Sequence, residues 1–238
     1  MDYRLHKADS RGRTENEGIT SYHTYSFAGY YNPSRMCFGV LRAVNQEILK
    51  GGQGFSMHPH DNMEIITIPL SGSIKLLGGD GTIYYLEEGH LHHLSAGTGI
   101  FHSELNNSWK DEASFIQLWI QPSVKNIKPY QKTVQLSEVC EPNSMTAIIS
   151  SDKSDSSIHQ DVNFHFGYYD KATQEILKVS SENHGIYLLL LEGKARIDGV
   201  ELNKMDGIEI SNIEETNLIL SNNSKILSVE IPLKINLN

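Results

Sequence analysis

The sequence predicts an all-β protein built from two similar units of antiparallel strands. Three observations carry that reading. Short runs of β-branched and aromatic residues recur along the chain, and Gly, Asn, Asp and Ser clusters break them roughly every 8–12 residues. A strand, glycine turn, strand pattern then occurs twice. The 238 residues suit one large domain or two small ones at about 100–200 residues each. The hydrophobic fraction of 39% and charged fraction of 21% are those of a globular chain and exclude global disorder.

The strand candidates, in order, are Met36–Val44, Met63–Leu70, Ser73–Leu77, Thr82–Leu86, Ser114–Ile120, Ile186–Leu191, Lys194–Ile197 and Ile226–Ile231. Gly78-Gly79-Asp80-Gly81 and Ile197-Asp198-Gly199-Val200 read as hairpin connections. Gln174–Val179 is too short to assign as a helix. After Gln121-Pro122 the composition turns polar, and Ser123–Val134 reads as the connection between the halves, which gives domains 1–125 and 126–238. Ser150–Ser157 reads as a polar loop in the second half. The repeat aligns Leu70-Ser71-Gly72-Ser73-Ile74 with Leu191-Glu192-Gly193-Lys194-Ala195, each followed by an acidic-glycine turn at Glu88-Gly89 or Asp206-Gly207.

Several classes are disfavoured. No run of 18 apolar residues marks a membrane helix, and the N-terminus lacks the apolar stretch of a secretory signal. Two cysteines, Cys37 and Cys140, are too few for a disulfide scaffold, so a reducing, cytoplasmic setting is expected. Cys37 reads as a small buried apolar residue. A net charge of −9 does not favour nucleic-acid binding.

The chemistry is concentrated in histidines. His58-Pro59-His60 puts two imidazoles at i and i+2, on one face of an extended segment. His102-Ser103-Glu104 repeats that spacing just after the Gly97-Thr98-Gly99 turn. The two pairs facing one another would make a site of three imidazoles and one carboxylate. Glu64 shares the parity of His58 and His60 if the strand continues, and is a candidate fifth ligand, a partner orienting an imidazole, or a buried acid. His90-Leu91-His92-His93 is read as surface, since no carboxylate of matching parity is near. His6, His23, His159, His165 and His184 are isolated and receive no chemistry.

The block from Gly18 to about Pro122 resembles the pirin family of the cupin superfamily. The residues that carry the resemblance include Ser21-Tyr22-His23-Thr24-Tyr25-Ser26-Phe27-Ala28, Tyr30-Tyr31-Asn32-Pro33-Ser34-Arg35-Met36, His58-Pro59-His60-Asp61-Asn62-Met63-Glu64-Ile65 and Ser95-Ala96-Gly97-Thr98-Gly99-Ile100-Phe101-His102-Ser103-Glu104. The resemblance implies a bicupin, two facing jelly-roll barrels of antiparallel strands, with metal in the first barrel alone. The family ligands fall on His58, His60, His102 and Glu104. Glu64 holds the usual cupin carboxylate position, which pirins do not normally use. No H-x-H pair lies within Leu188–Ile210, so the second barrel is expected to be structural. Leu76, Gly78 and His90 depart from the family pattern outside the ligand set, which bears on substrate preference.

Three neutral imidazoles and one carboxylate leave a divalent ion a residual charge near +1, and an octahedral ion so held keeps about two open positions. Fe(II) is expected, with Zn, Ni, Cu, Mn or Co as competitors. Tetrahedral, purely structural Zn is the rival physical reading. Similarity to quercetin 2,3-dioxygenases implies a flavonol-like substrate and O2. The flavonol 3-hydroxyl oxygen binds the metal, Glu104 is the candidate general base for its proton, the ring is cleaved and carbon monoxide leaves. Phe55, Met57 and Phe101 are candidate apolar neighbours. The alternatives are an iron-dependent, redox-sensing binding protein with a protein partner, a transcription factor or metabolic enzyme, and a cupin whose metal only stabilises the barrel.

Overall fold

The structure is a computed structural model that describes residues 1–150 and 158–234. The chain begins with β1 (Asp2–His6), β2 (Gly12–Asn16) and β3 (Ile19–His23). There follow β4 (Leu41–Leu49), β5 (Gly54–His60), β6 (Glu64–Ser71), β7 (Ser73–Gly78), β8 (Ile83–Glu87), β9 (His90–Ser95), β10 (Ile100–Asn106), β11 (Ala113–Ile120) and β12 (Tyr130–Gln135). One helical turn, α1 (Leu136–Val139), leads to β13 (Ser144–Ser150), β14 (Asn163–Tyr169), β15 (Thr173–Lys178), β16 (His184–Glu192), β17 (Lys194–Ile197), β18 (Val200–Asn203), β19 (Gly207–Ser211), β20 (Glu215–Leu220) and β21 (Ser224–Pro232).

The strands sort into two units. One comprises Gly12–Cys37 and Leu41–Leu136, the other Met1–Arg11, Phe38–Val40 and the described residues from Ser137 onward. The first unit has a seven-stranded sheet, β12-β9-β6-β11-β4-β3-β2, and a four-stranded sheet, β5-β10-β7-β8. The second has a six-stranded sheet, β1-β19-β16-β21-β14-β13, and a four-stranded sheet, β15-β20-β17-β18. The orders correspond except for β2, which has no counterpart: β9, β6 and β11 are matched by β19, β16 and β21, and β5-β10-β7-β8 by β15-β20-β17-β18. Each unit is a jelly roll, as the all-β, two-unit reading expects. β1, from the far end of the chain, occupies in the second unit the edge place that β12 occupies in the first.

The repeat seen in the sequence sits at equivalent turns. Gly72 (φ +71°) joins β6 to β7, and Gly193 (φ +84°) joins β16 to β17. A Cβ at Gly72 would meet the Ala113 backbone at 2.9 Å, and one at Gly193 the Ser224 backbone at 2.8 Å. Both the left-handed φ and the close approach therefore require glycine. Asp198 (φ +44°) and Gly199 (φ +82°) make the two-residue β17–β18 hairpin, both central φ values being positive as a type I′ turn demands.

Alternation supplies the cores. The β17 residues Lys194, Ala195, Arg196 and Ile197 alternate exposed and buried. Ile74, Leu76, Leu86 and Phe115 gather in the first unit, and Leu188, Ile197, Leu218 and Leu220 in the second. No helix among the described residues is long and apolar enough to cross a membrane.

Several expectations are corrected. The strand expected over Met36–Val44 begins at Leu41 and runs to Leu49, because residues 36–40 form turns and a connection. Cys37 is exposed in that connection, not buried. Part of the expected connection Ser123–Val134 is strand β12, whose polar residues sit at a sheet edge against β9. Gln174–Val179, left unassigned in the sequence, contributes Gln174–Lys178 to strand β15. Ser150 ends β13, and the rest of the expected Ser150–Ser157 loop lies outside the described residues.

Candidate metal centre

β5 and β10 are antiparallel neighbours, and their register puts His102 directly opposite His58, with Ile100 opposite His60. Residues two apart on one strand share a face, and directly opposed residues share it across the ladder. The three rings therefore converge. Ring centroids are 4.7 Å apart for His58–His60, 4.7 Å for His58–His102 and 4.8 Å for His60–His102. One ligand nitrogen from each lies within 4.8 Å of the other two.

The tautomers follow from local contacts. His58 Nδ1 lies 2.7 Å from the Ser56 carbonyl oxygen, an acceptor, so Nδ1 carries the proton and Nε2 is left with its lone pair. His102 is buried, and its Nε2 has no hydrogen-bond partner. An orphaned buried nitrogen beside two more imidazoles is costly unless something electropositive meets it. Burial, with the neighbouring imidazoles, holds His60 down at about 4 and His102 at about 3, so both rings are neutral donors at pH 7. This donor set fits a divalent cation.

Glu104 stands apart from the three-nitrogen group. It is buried on the same strand as His102 and is paired across β7 with Leu76. Its Oε1 accepts a 2.8 Å hydrogen bond from Gln117 Nε2. Burial and the charge of Glu47 push its carboxyl up to about 8, against the opposing effect of Gln117. Glu47 is also buried, accepts a hydrogen bond from Ser21 Oγ, and is pushed up to about 7 by its burial.

The seven-stranded sheet supplies the rest of the wall. Trp119 meets the His60 ring edge-on at 4.9 Å, and Phe27 meets Trp119 at 4.9 Å. Asn45, Gln117, Thr67 and His92 occupy one register row across β4, β11, β6 and β9. Phe55 packs edge-on to His58 at 6.3 Å, as expected of an apolar neighbour. Met57 and Phe101 are exposed instead, because their parity is opposite to that of the adjacent ligands. Gln117, Trp119, Phe27 and Glu47 were not anticipated. The one sequence signal for them was the parity of Gln117 and Trp119 within the Ser114–Ile120 run.

Of the alternatives open for Glu64 the structure shows the buried acid, and the surface reading of the His90–His93 tract is corrected. Glu64 begins a different sheet from His58 and His60, after a turn with Asn62 at φ +44°. It lies three residues from Thr67, which bonds Gln117, and so faces the other side of the sheet. There it binds His93 Nε2 at 2.7 Å and Ser95 Oγ at 2.9 Å. His92 and His93 are buried, not superficial; the carboxylate partner of His93 is Glu64, from the paired strand β6, while His92 Nδ1 meets Thr133 Oγ1 of β12 at 2.9 Å. The isolated histidines are partnered: His6 with Glu209, His23 with Asn45 and Thr14, and His184 with Glu230 and Asp161.

The second unit shows what replaces the centre. Aligning Gly193 with Gly72 matches Ile197 to Leu76. Leu218, opposite Ile197, then stands where Glu104 does, and Thr216 and Leu177 stand where His102 and His58 do. Leu177 and Leu218 belong to the apolar core.

Comparison with known proteins agrees with this geometry. Residues 5–120 match the Pirin family and residues 147–231 the quercetinase C-terminal cupin domain. The chain is 31% identical over 230 residues to a quercetin 2,3-dioxygenase of Escherichia coli (strain K12), covering 96% of this chain and 98% of that one. It is 31% identical over 235 residues to a putative quercetin 2,3-dioxygenase of Pasteurella multocida, covering 96% and 99%. The crystal structure of the bacterial pirin YhhW from Escherichia coli in complex with nickel(II) superposes with TM-score 0.91 at 30% identity, over 98% of this chain and 100% of that one. Together with the two jelly rolls and the three converging histidines, these matches place the chain in the pirin family.

Proposed function

We propose that the protein is a metal-dependent dioxygenase that cleaves flavonols such as quercetin with O2 and releases carbon monoxide, with Fe(II) as the working metal. The observation that carries this reading is the convergence of His58, His60 and His102 beside a buried carboxylate. The similarity to proteins named quercetin 2,3-dioxygenase over nearly the whole chain supports the substrate class.

In this reading His58, His60 and His102 hold the ion through ring nitrogens and Glu104 is the fourth ligand. Fe(II), held there, would supply a redox-active Lewis acid for the reaction of a flavonol oxygen with dioxygen. Glu104, ionised as a ligand, is in this reading also the candidate base for the proton of the flavonol 3-hydroxyl. Trp119 and Phe27 give a planar substrate an aromatic wall next to His60. Overall, both atoms of O2 enter the products and one ring carbon leaves as carbon monoxide.

The test is turnover. Protein loaded anaerobically with Fe(II) and then given quercetin and O2 is expected to bleach the flavonol absorbance and to release carbon monoxide in equal amount. Absence of turnover with Fe(II), Ni(II), Mn(II), Co(II), Cu(II) and Zn(II) alike removes the enzymatic reading.

A further inference from the structure

Gln117 stands between the buried carboxylate and the aromatic wall. Its Oε1 accepts a 2.6 Å hydrogen bond from Trp119 Nε1. Its Nε2 donates to Glu104 Oε1 at 2.8 Å and approaches Thr67 Oγ1 at 3.4 Å. An indole nitrogen donates and never accepts. Trp119 therefore fixes the polarity of the amide, with its oxygen toward the indole and its NH2 toward Glu104. Gln117 and Trp119 lie two apart on β11, so both project from the same face. Gln117 is paired on both sides, with Asn45 of β4 and Thr67 of β6, which holds its backbone in place.

The consequence falls on Glu104. Its Oε1 is taken by the amide, while Oε2 makes no hydrogen bond to the described residues. A carboxylate presented through one oxygen occupies one coordination position. With three imidazoles that leaves about two of six positions open, whereas a two-oxygen carboxylate would leave about one. We propose that Gln117, oriented by Trp119, is a positioning residue that offers Oε2 of Glu104 alone to the ion. This deepens the metal-centre reading above and rests on Glu104 being a ligand.

The experiment reads metal binding in the full chain, without turnover. Ni(II) affinity is measured by calorimetry, and the ligand-field spectrum is recorded with Co(II). The variants are Gln117→Leu, which removes the donor, and Trp119→Phe, which keeps a ring beside His60 but frees the amide to turn. Both are expected to weaken Ni(II) binding by about tenfold or more and to change the Co(II) band intensities. Wild-type affinity within about twofold and an unchanged Co(II) spectrum in both variants overturn the proposal. If Gln117→Leu does not fold, Trp119→Phe alone decides it by the same readings. Glu104→Gln separates the two claims. If it binds Ni(II) as the wild type does, Glu104 is not a ligand and the inference falls with it. If it binds weakly while the Gln117 and Trp119 variants bind normally, the ligand set stands and the positioning role is refuted. None of these readings depends on flavonol cleavage, so failure of that activity leaves them intact.

Discussion

His58 and His102 stand directly opposite one another on neighbouring antiparallel strands, with ring centroids 4.7 Å apart. The pairing unites residues more than forty positions apart in the chain. It also brings the two imidazoles close enough that one ion could meet both, and leaves the His102 Nε2 without a protein partner.

Removing either ring should abolish tight binding. Ni(II) at 100 times its dissociation constant stabilises a folded protein by about 2.7 kcal/mol. That thermal stabilisation should be present in the wild type and absent in His58→Ala and His102→Ala, measured by melting with and without metal. A metal-induced shift of wild-type size in His102→Ala would refute the role of that ring.

The pH dependence of the metal-free protein has a definite sign. Glu47 and Glu104 are raised, to about 7 and about 8, so the folded state holds protons that the unfolded state releases above about 4.5. Their contribution is complete below that pH and is lost as pH rises through their folded values. His60, His92 and His102 are depressed, to about 4, 4 and 3, and work in the opposite direction between those values and about 6.5. Above pH 6.5 the carboxyls act alone. Stability of the metal-free protein should therefore fall between pH 6.5 and 8. The fall should be shallower in Glu47→Gln, read from denaturant unfolding at each pH.

The Glu64–His93 pair is structural in this account. Its partners are almost wholly buried and 2.7 Å apart, on the sheet face turned away from the three histidines. Glu64→Ala leaves His93 without its carboxylate and should cost about 3 kcal/mol of unfolding free energy. Ni(II) affinity of the folded fraction should stay within about twofold of wild type. A large loss of affinity would return Glu64 to the metal site.

The β17–β18 hairpin offers a purely conformational test. Gly199 has φ +82° and open space where a Cβ would sit. Gly199→Ala should cost about 1 kcal/mol by left-handed strain alone, with no clash to relieve. Chemical denaturation measures it, and a neutral or stabilising change would show that the turn readily adopts another form.

The sequence made much of the centre legible. His58, His60 and His102 were readable because i, i+2 spacing on an extended backbone is a local property. The same rule left Glu64 open, because it holds only while the strand continues, and a turn at residues 61–63 moves the chain into another sheet and resets the parity. It misled at His92 and His93, which are buried, His93 against Glu64 of β6 and His92 against Thr133 of β12. Polar composition suggested a linker at Ser123–Val134, yet an edge strand such as β12 tolerates polar residues because one side faces no neighbour.

By itself, then, the sequence determined an all-β chain of two related units, with a histidine set of metal-ligand spacing in the first and no such pair in the second. Alternation and turn chemistry act over a few residues, and a linear text records them. Only the tertiary structure decided that Gln117 reaches Glu104, that Trp119 borders His60, that Glu64 faces away, and that β1 completes the sheet of the second unit. Those outcomes depend on which distant strands pair and in what register, and that choice is made by burying whole sheet faces at once.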